Sequence, residues 1–362
     1  MDQLQQSKAA KDEMRQLRKE EKSDYRQPYK RDVDRILHSK GYSRYIDKTQ
    51  VIYLLEHDHV SHRGLHVQLV SAFSRGIAAS LGLNINLVEA IALGHDVGHP
   101  PFGHEGEEYL SALSLDYGAG NFAHPWQSCR LFASIEPLNL SLAVFDGMLC
   151  HDGGLRSPLL EPHYGKTWTD HEQELAHKIA DPEADLVPGT LEGCLVKICD
   201  TVTYVGRDIE DAISLGLIER DSLPETLLGK QNSQILAQFG LGLVKASQGK
   251  DHLVIPEDLF NAIHILRRFN FERIYRHPHI KVESQRIERA YRYLFEFLLK
   301  DGEDRGDQSY IWQNFLYNKT EEYLQTTDTV RRVIDFLAGM TDRYFLKTLR
   351  QVVVPQQIGW PW

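Results

Sequence analysis

The stretch Val88–Glu107, VEAIALGHDVGHPPFGHEGE, limits what this chain can become more than any other. An apolar run ends in the adjacent pair His95 and Asp96. A turn with two prolines and three glycines then returns His99, His104 and Glu107 toward the same place, all within thirteen residues. Proline removes a backbone donor and glycine reaches conformations closed to other residues, so a helix must end here and the chain must reverse. An imidazole nitrogen beside a carboxylate oxygen is a good mixed donor set for a divalent metal. Further ligands have to come from elsewhere in the chain.

Two flanking helices supply candidates. Asn86, with Glu89 three residues on, predicts a capping box, and Leu87, Ile91 and His95 follow at four-residue steps on an inward face. A second helix is predicted to start near Gly64, where Leu69, Val70, Phe73 and Ile77 make one apolar face that carries His66. A lone histidine on such a face is usually a core residue, but the pair His66 and His95 would bury Asp96 between them, and a buried carboxylate needs a partner. The best fourth ligand is Asp200, in LVKICDTVTYVGRDIEDAI. Asp200, Tyr204 and Asp208 are four apart and share one stripe, while Val196, Ile198, Cys199 and Val202 draw that turn into the core.

The chain is long enough, at 362 residues, for one large or two small domains. Its formal net charge of -10 argues for weak or no nucleic-acid binding. Four cysteines without a CxxC pair read as buried free thiols in a reducing cytoplasm. No apolar run reaches membrane-spanning length and the charged N-terminus is no signal peptide, so no membrane partner is expected. GKT at 165–167 is no P-loop, because the pattern requires glycine where Leu160 stands.

The expected organisation is a charged, largely solvated segment over 1–28, a catalytic core over 29–215, a variable insertion over 216–255, a helical part over 256–350 and a tail over 351–362. Helices are predicted near 125–136, 138–150, 190–215, 256–269, 283–300 and 326–350. Residues 98–106 read as loop, 152–190 as a long irregular crossing, and LVIP near 253 as a short strand.

The pattern H…HD…D over His66, His95, Asp96 and Asp200 is the metal signature of the HD-domain phosphohydrolases. RDVDRILHS, DKTQV, RGLH, GHDVGHPPFGHEGE, FAHPWQS, DTVTYVGRDIEDA, IYRHPHI and VIDFLAGMTDRY make the chain resemble, in order from about residue 28 to 350, the deoxynucleoside triphosphate triphosphohydrolase (dGTPase-like) branch. The resemblance implies a mainly α HD-domain fold with additional C-terminal helices and few short strands. It also implies hydrolysis of dNTPs to deoxynucleoside and tripolyphosphate with one divalent metal per site, Mn²⁺, Mg²⁺ or another transition metal. A homo-oligomer is expected on the same basis, and an allosteric nucleotide is left open.

Carried over by position, His66, His95, Asp96 and Asp200 would be metal ligands and Arg63 a phosphate contact. His104 would protonate the leaving oxygen, Glu107 would orient it, and His124 would act near the phosphates. Tyr204 and Asp208 would face the sugar, with Gln50 and His99 as further substrate contacts. Arg276 and His277 would support the pocket or a subunit interface. Ile46 stands where related sequences carry a glutamine that reads the sugar 3′-hydroxyl. His57, His59 and His62 read as loop residues. Rival readings are another HD phosphohydrolase activity, on monophosphates, cyclic nucleotides or single-stranded DNA ends, and a nucleotide-binding regulator with weak turnover.

Overall fold

The computed structural model describes residues 3–22, 24–54 and 61–355. His57 and His59 lie outside the described residues, as does most of the 351–362 tail. Thirteen helices of seven residues or more carry the described fold: α1 (Pro28–Leu37), α2 (Arg63–Leu81), α3 (Ile85–Gly94), α4 (Gly103–Asp116), α5 (His124–Arg130), α6 (Leu142–Cys150), α7 (Trp168–Ala180), α8 (Leu191–Ser214), α9 (Asn232–Ser247), α10 (Glu257–Asn270), α11 (Ser284–Arg305), α12 (Thr329–Ala338) and α13 (Asp342–Val353). Two short antiparallel strands, β1 (Leu159–Leu160) and β2 (Leu253–Val254), pair Leu159 with Val254 and Leu160 with Leu253. The mainly α expectation holds, and LVIP forms the expected short strand.

The centre is α3, which packs on α1, α2, α6 and α8. Its residues Leu87, Val88, Ala90, Ile91, Ala92 and Leu93 are all buried, because helices pack on most of its sides. Helix α8 crosses α2, α3 and α6 and so carries Asp200 to the ends of α2 and α3. Toward the C-terminus, α11 and α12 pack together and both lie against α4. Cys129, Cys150, Cys194 and Cys199 are buried and free, as expected.

Several local expectations are corrected. The cap of α3 is Asn84, not Asn86: its side chain accepts from Leu87 N–H at 3.1 Å. Both asparagines have the same capping chemistry, and tertiary contacts select the first. The Asn84 N–H is held by Glu192 at 2.8 Å and its amide donates to the Ala10 carbonyl at 2.9 Å. Glu89 instead pairs with Arg75 at 2.8 Å.

The charged N-terminal segment is anchored rather than merely solvated. Arg15 is buried against Asp32 of α1 at 2.6 Å, so its charge is met by protein and not by water. The 152–190 crossing contains α7, started by a capping box between Thr167 and Asp170. The 216–255 stretch contains α9, whose Ile235, Phe239 and Leu243 form a buried stripe at four-residue steps against α2 and α8. One long helix over 326–350 becomes α12 and α13, separated at Gly339, with Thr341 capping the second. His62 is the N-cap of α2, its Nδ1 accepting from Leu65 N–H at 3.2 Å.

Candidate metal centre and acid–base site

The site begins where α3 runs out. The Nδ1 of His95 faces the Ala92 carbonyl one turn back at 2.8 Å. That hydrogen bond places the proton on Nδ1 and leaves Nε2 free to act as a donor atom. The chain then turns sharply because Gly98 lies against α5: a Cβ there would sit 2.3 Å from the Ser128 nitrogen. Ser128 ties the turn by donating to the His95 carbonyl at 2.7 Å and accepting from Gly98 N–H at 2.8 Å.

Asp96 is the hub. Its Oδ1 has the Nε2 atoms of His99, His95, His124 and His151 at 3.5, 3.6, 3.7 and 3.9 Å. The other oxygen pairs with the Arg63 guanidinium and lies 3.9 Å from His66 Nε2. Asp200 closes the near side, with Oδ1 at 2.9 Å from His66 Nε2 and 3.6 Å from His95 Nε2. Separations of this size suit a shared cation, since ligands about 2.1 Å from one ion lie about 3 to 3.5 Å from each other. The buried Nε2 of His95 has no hydrogen-bond partner among the described residues, as expected of an atom reserved for a metal. His66, His95 and Asp96, and separately His95, His151 and Asp200, bring ligand atoms within 4.8 Å of one another.

Electrostatics agree with this donor set. Burial alone would raise the Asp96 carboxyl, but Arg63 and the surrounding histidines hold it well below the usual carboxylate range. Asp200 is likewise lowered: burial opposes ionisation, and His66 and His95 outweigh it. Burial disfavours a charged His95, yet Asp96 and Asp200 raise it to about 9 in the metal-free protein. A cation seated there would take over the charge that this proton now supplies.

A second histidine–carboxylate group, the candidate acid–base pair, lies on the far side of Asp96. His104 and Glu107 are on the first turns of α4, not in a loop, and are one turn apart. Glu107 Oε2 is 3.3 Å from His104 Nδ1, and Oε1 is 2.9 Å from His124 Nδ1 and accepts from the His124 N–H at 2.6 Å. Burial would raise Glu107, but His124 and His99 keep it well below its ordinary value. His124 is raised, with burial opposing and Glu107 prevailing. His99 connects the two halves: Nε2 faces Asp96, Nδ1 lies 3.8 Å from Glu107, and its ring stacks on His124 at 3.7 Å. Burial, Arg63 and His124 keep His99 neutral, well below the ordinary imidazole range. His104 alone is open, with 69 % of its side chain exposed.

The remaining candidates surround this cluster unevenly. Tyr204 and Asp208 continue up α8 from Asp200, and Asp208 accepts from Tyr275 at 2.6 Å. Burial pushes the Asp208 carboxyl up to about 7. Gln50 is buried, its carbonyl accepting from Arg63 at 3.3 Å and its side-chain Oε1 lacking a partner among the described residues. Ile46 is 67 % exposed and takes no part in the cluster. Lys166 of the GKT sequence is buried between Asp146 and Glu174, each at 2.7 Å, and Thr167 caps α7.

Sequence reasoning missed His151. It ends α6 as His95 ends α3, with Nδ1 facing the Met148 carbonyl at 2.6 Å and Nε2 directed at the cluster. The available signal was a second His-Asp pair, His151–Asp152, after a second apolar helix. Burial lowers His151 to about 4, so it is a neutral donor atom.

A family model described as HD domain matches residues 63–204, and one described as phosphohydrolase-associated domain matches 253–351. A deoxyguanosinetriphosphate triphosphohydrolase-like protein of Caldanaerobacter subterraneus subsp. tengcongensis is 34% identical over 352 residues, covering 95% of this chain and 89% of the relative. The chain belongs to the deoxyguanosinetriphosphate triphosphohydrolase-like family. It is thus an HD-superfamily phosphohydrolase. A like-named protein of Clostridium perfringens strain 13 is 31% identical over 351 residues, covering 94% of the chain and 90% of the relative. A solved phosphohydrolase from Bacteroides thetaiotaomicron aligns with 89% of the chain and 69% of its own, at 18% identity and a TM-score of 0.48. Within the family frame, the residues 63–204 hold all four expected metal ligands and His104, Glu107, His124 and His151. Among the described residues no helix is long and apolar enough to cross a membrane.

Proposed function

We propose that this family member hydrolyses deoxynucleoside triphosphates to deoxynucleoside and tripolyphosphate. One observation supports the reading above others. A metal-competent cluster and a histidine–carboxylate acid–base pair stand on opposite sides of the neutral His99, which faces Asp96 at 3.5 Å and Glu107 at 3.8 Å. His66, His95, Asp96 and Asp200 would hold a divalent cation, Mn²⁺ or Mg²⁺, which when bound activates water and offsets phosphate charge. His104 gives a proton to the leaving 5′-oxygen, while Glu107 fixes its ring and also holds His124. Arg63, now paired with Asp96, contributes a fixed guanidinium beside the phosphate position.

A cavity of about 630 Å³ opens at Asp152 and Gly153, directly after His151. Arg156 and Arg267 line it together with Asp152 and Glu183, and it is of the size a nucleotide needs. Tyr204 and Asp208 take the sugar, and Gln50, whose buried Oε1 has no partner among the described residues, takes the hydroxyl-reading task that Ile46 cannot. The same reading carries a homo-oligomeric, cytoplasmic enzyme.

The purified protein should be incubated with each dNTP and NTP plus Mn²⁺ or Mg²⁺. Tripolyphosphate with a deoxynucleoside is the expected product pair; diphosphate or monophosphate from the same substrates overturns the reading. A second reading has its own observation: Asp96, His124 and His151 also converge within 4.8 Å, a place for a second cation. Two metals per chain, with cleavage of phosphodiesters in preference to triphosphates, would favour it.

A further inference from the structure

The turn that delivers His104 is held in a conformation its own sequence disfavours. Phe102 has φ 64°, in the left-handed region, where a Cβ crowds the backbone. Such a residue persists only when its surroundings over-determine it. Here they do. The Phe102 ring is buried, edge-on to Tyr53, Tyr291 and Phe345. Tyr291 donates to the Pro101 carbonyl at 2.8 Å. Lys48 is buried and donates to the carbonyls of His99 and Ala338.

The Phe102 N–H itself is taken by Asp342, whose Oδ1 accepts at 3.0 Å across 240 residues of chain. The other oxygen accepts from the Thr49 hydroxyl and, at 3.3 Å, from the Thr49 N–H. Asp342 opens α13, where an acidic residue is ordinarily exposed and interacts only with the helix dipole. This one is 9 % exposed and its carboxylate is directed at two other segments. It thus joins the DKTQV segment, the HPPFG turn and the C-terminal helix in one contact.

We propose that Asp342 is a positioning residue for the reaction: by accepting the Phe102 N–H it fixes the left-handed turn that starts α4 and so seats His104 and Glu107 against the Asp96 cluster. The C-terminal segment matched as phosphohydrolase-associated, which includes Asp342, thereby sets where the first turn of α4 lies relative to the Asp96 cluster. The proposal rests on His104 being the proton donor.

The test compares Asp342→Ala with Asp342→Asn in the full-length, metal-loaded protein. Asparagine keeps an oxygen to accept the Phe102 N–H; alanine does not. In Asp342→Ala, amide exchange over residues 98–106 should speed up while the metal-ligand helices keep their protection. With the triphosphate that the panel identifies, kcat should fall about 10²-fold, the order expected for a misplacement of about 1 Å, with KM and metal content within about twofold of wild type. Asp342→Asn should recover most of both. Unchanged exchange or unchanged kcat in Asp342→Ala overturns the proposal. So does an asparagine variant as impaired as alanine, since a retained acceptor would then make no difference. If the wild-type chain releases no tripolyphosphate, the triphosphatase reading fails by itself, and the exchange comparison still decides whether Asp342 holds the turn.

Discussion

His124 Nδ1 lies 2.9 Å from Oε1 of Glu107, and the backbone N–H of the same histidine reaches that oxygen at 2.6 Å. One carboxylate oxygen thus fixes both the ring and the start of α5, while its partner oxygen remains for His104 at 3.3 Å. The two histidines are separated by twenty residues of chain yet share a single orienting group.

Glu107→Gln should therefore impair both histidines. An amide can accept from only one side, so one of the contacts inverts or breaks. We expect kcat to fall by about 10²-fold or more, within the range for losing an oriented proton donor. Metal content measured by elemental analysis should stay at the wild-type level. Retained turnover would remove Glu107 from the acid–base pair.

His151→Ala tests the histidine that the motif did not announce. Its Nε2 lies 3.9 Å from Asp96 and its ring centroid is 4.7 Å from that of His95. Loss of a direct or supporting ligand should weaken metal affinity by roughly 10- to 100-fold. Titration with Mn²⁺ reads this directly, and affinity equal to wild type would leave His151 as packing alone.

Asp208 supplies a pH test of stability in the metal-free protein. Its folded value of about 7 lies above the ordinary 3.8, because burial penalises the charge. A raised carboxyl contributes stability that is complete below the ordinary value and is lost as pH rises through the folded one. Urea unfolding between pH 4 and 7.5 should show stability falling with rising pH, and Asp208→Asn should flatten that slope. An unchanged slope would mean that Asp208 is ionised throughout in the folded state.

Gly106→Ala probes the packing under the acid–base turn. A Cβ there would lie 1.8 Å from the Pro101 carbonyl oxygen and 2.7 Å from the Tyr291 hydroxyl. Backbone cannot retreat as a side chain can, so overpacking should cost about 1–3 kcal/mol or more. Denaturant midpoints measure it; a variant as stable as wild type would show that the turn is free to shift.

The legible parts of the sequence were those with strong local signals. The apolar period of α3 and the Gly/Pro break after Asp96 placed His95 and Asp96 in the core, and the inward stripe of α8 brought the half-buried Asp200 against His66 and His95. Weaker signals misled. Asn84 and Asn86 are equal as caps until Glu192 and Ala10 hold one of them. The insertion at 216–255 hid a helix because its small residues Gly240 and Gly242 blur the period while fitting closely against Phe73 and Leu259.

By itself the sequence determined that a helix would end at a His-Asp pair, that the chain would reverse after it, and that His104 and Glu107 would return toward that pair. These follow from periodicity and from the backbone chemistry of glycine and proline, which act over a few residues. Only the tertiary structure decided that His151 joins the cluster, that Ile46 is outside it, and that Asp342 grips the Phe102 N–H. The two contacts join residues that are 55 and 240 positions apart, and no local preference encodes them. The His151 contact exists because α3, α6 and α8 pack together and bring their polar ends within reach of one another.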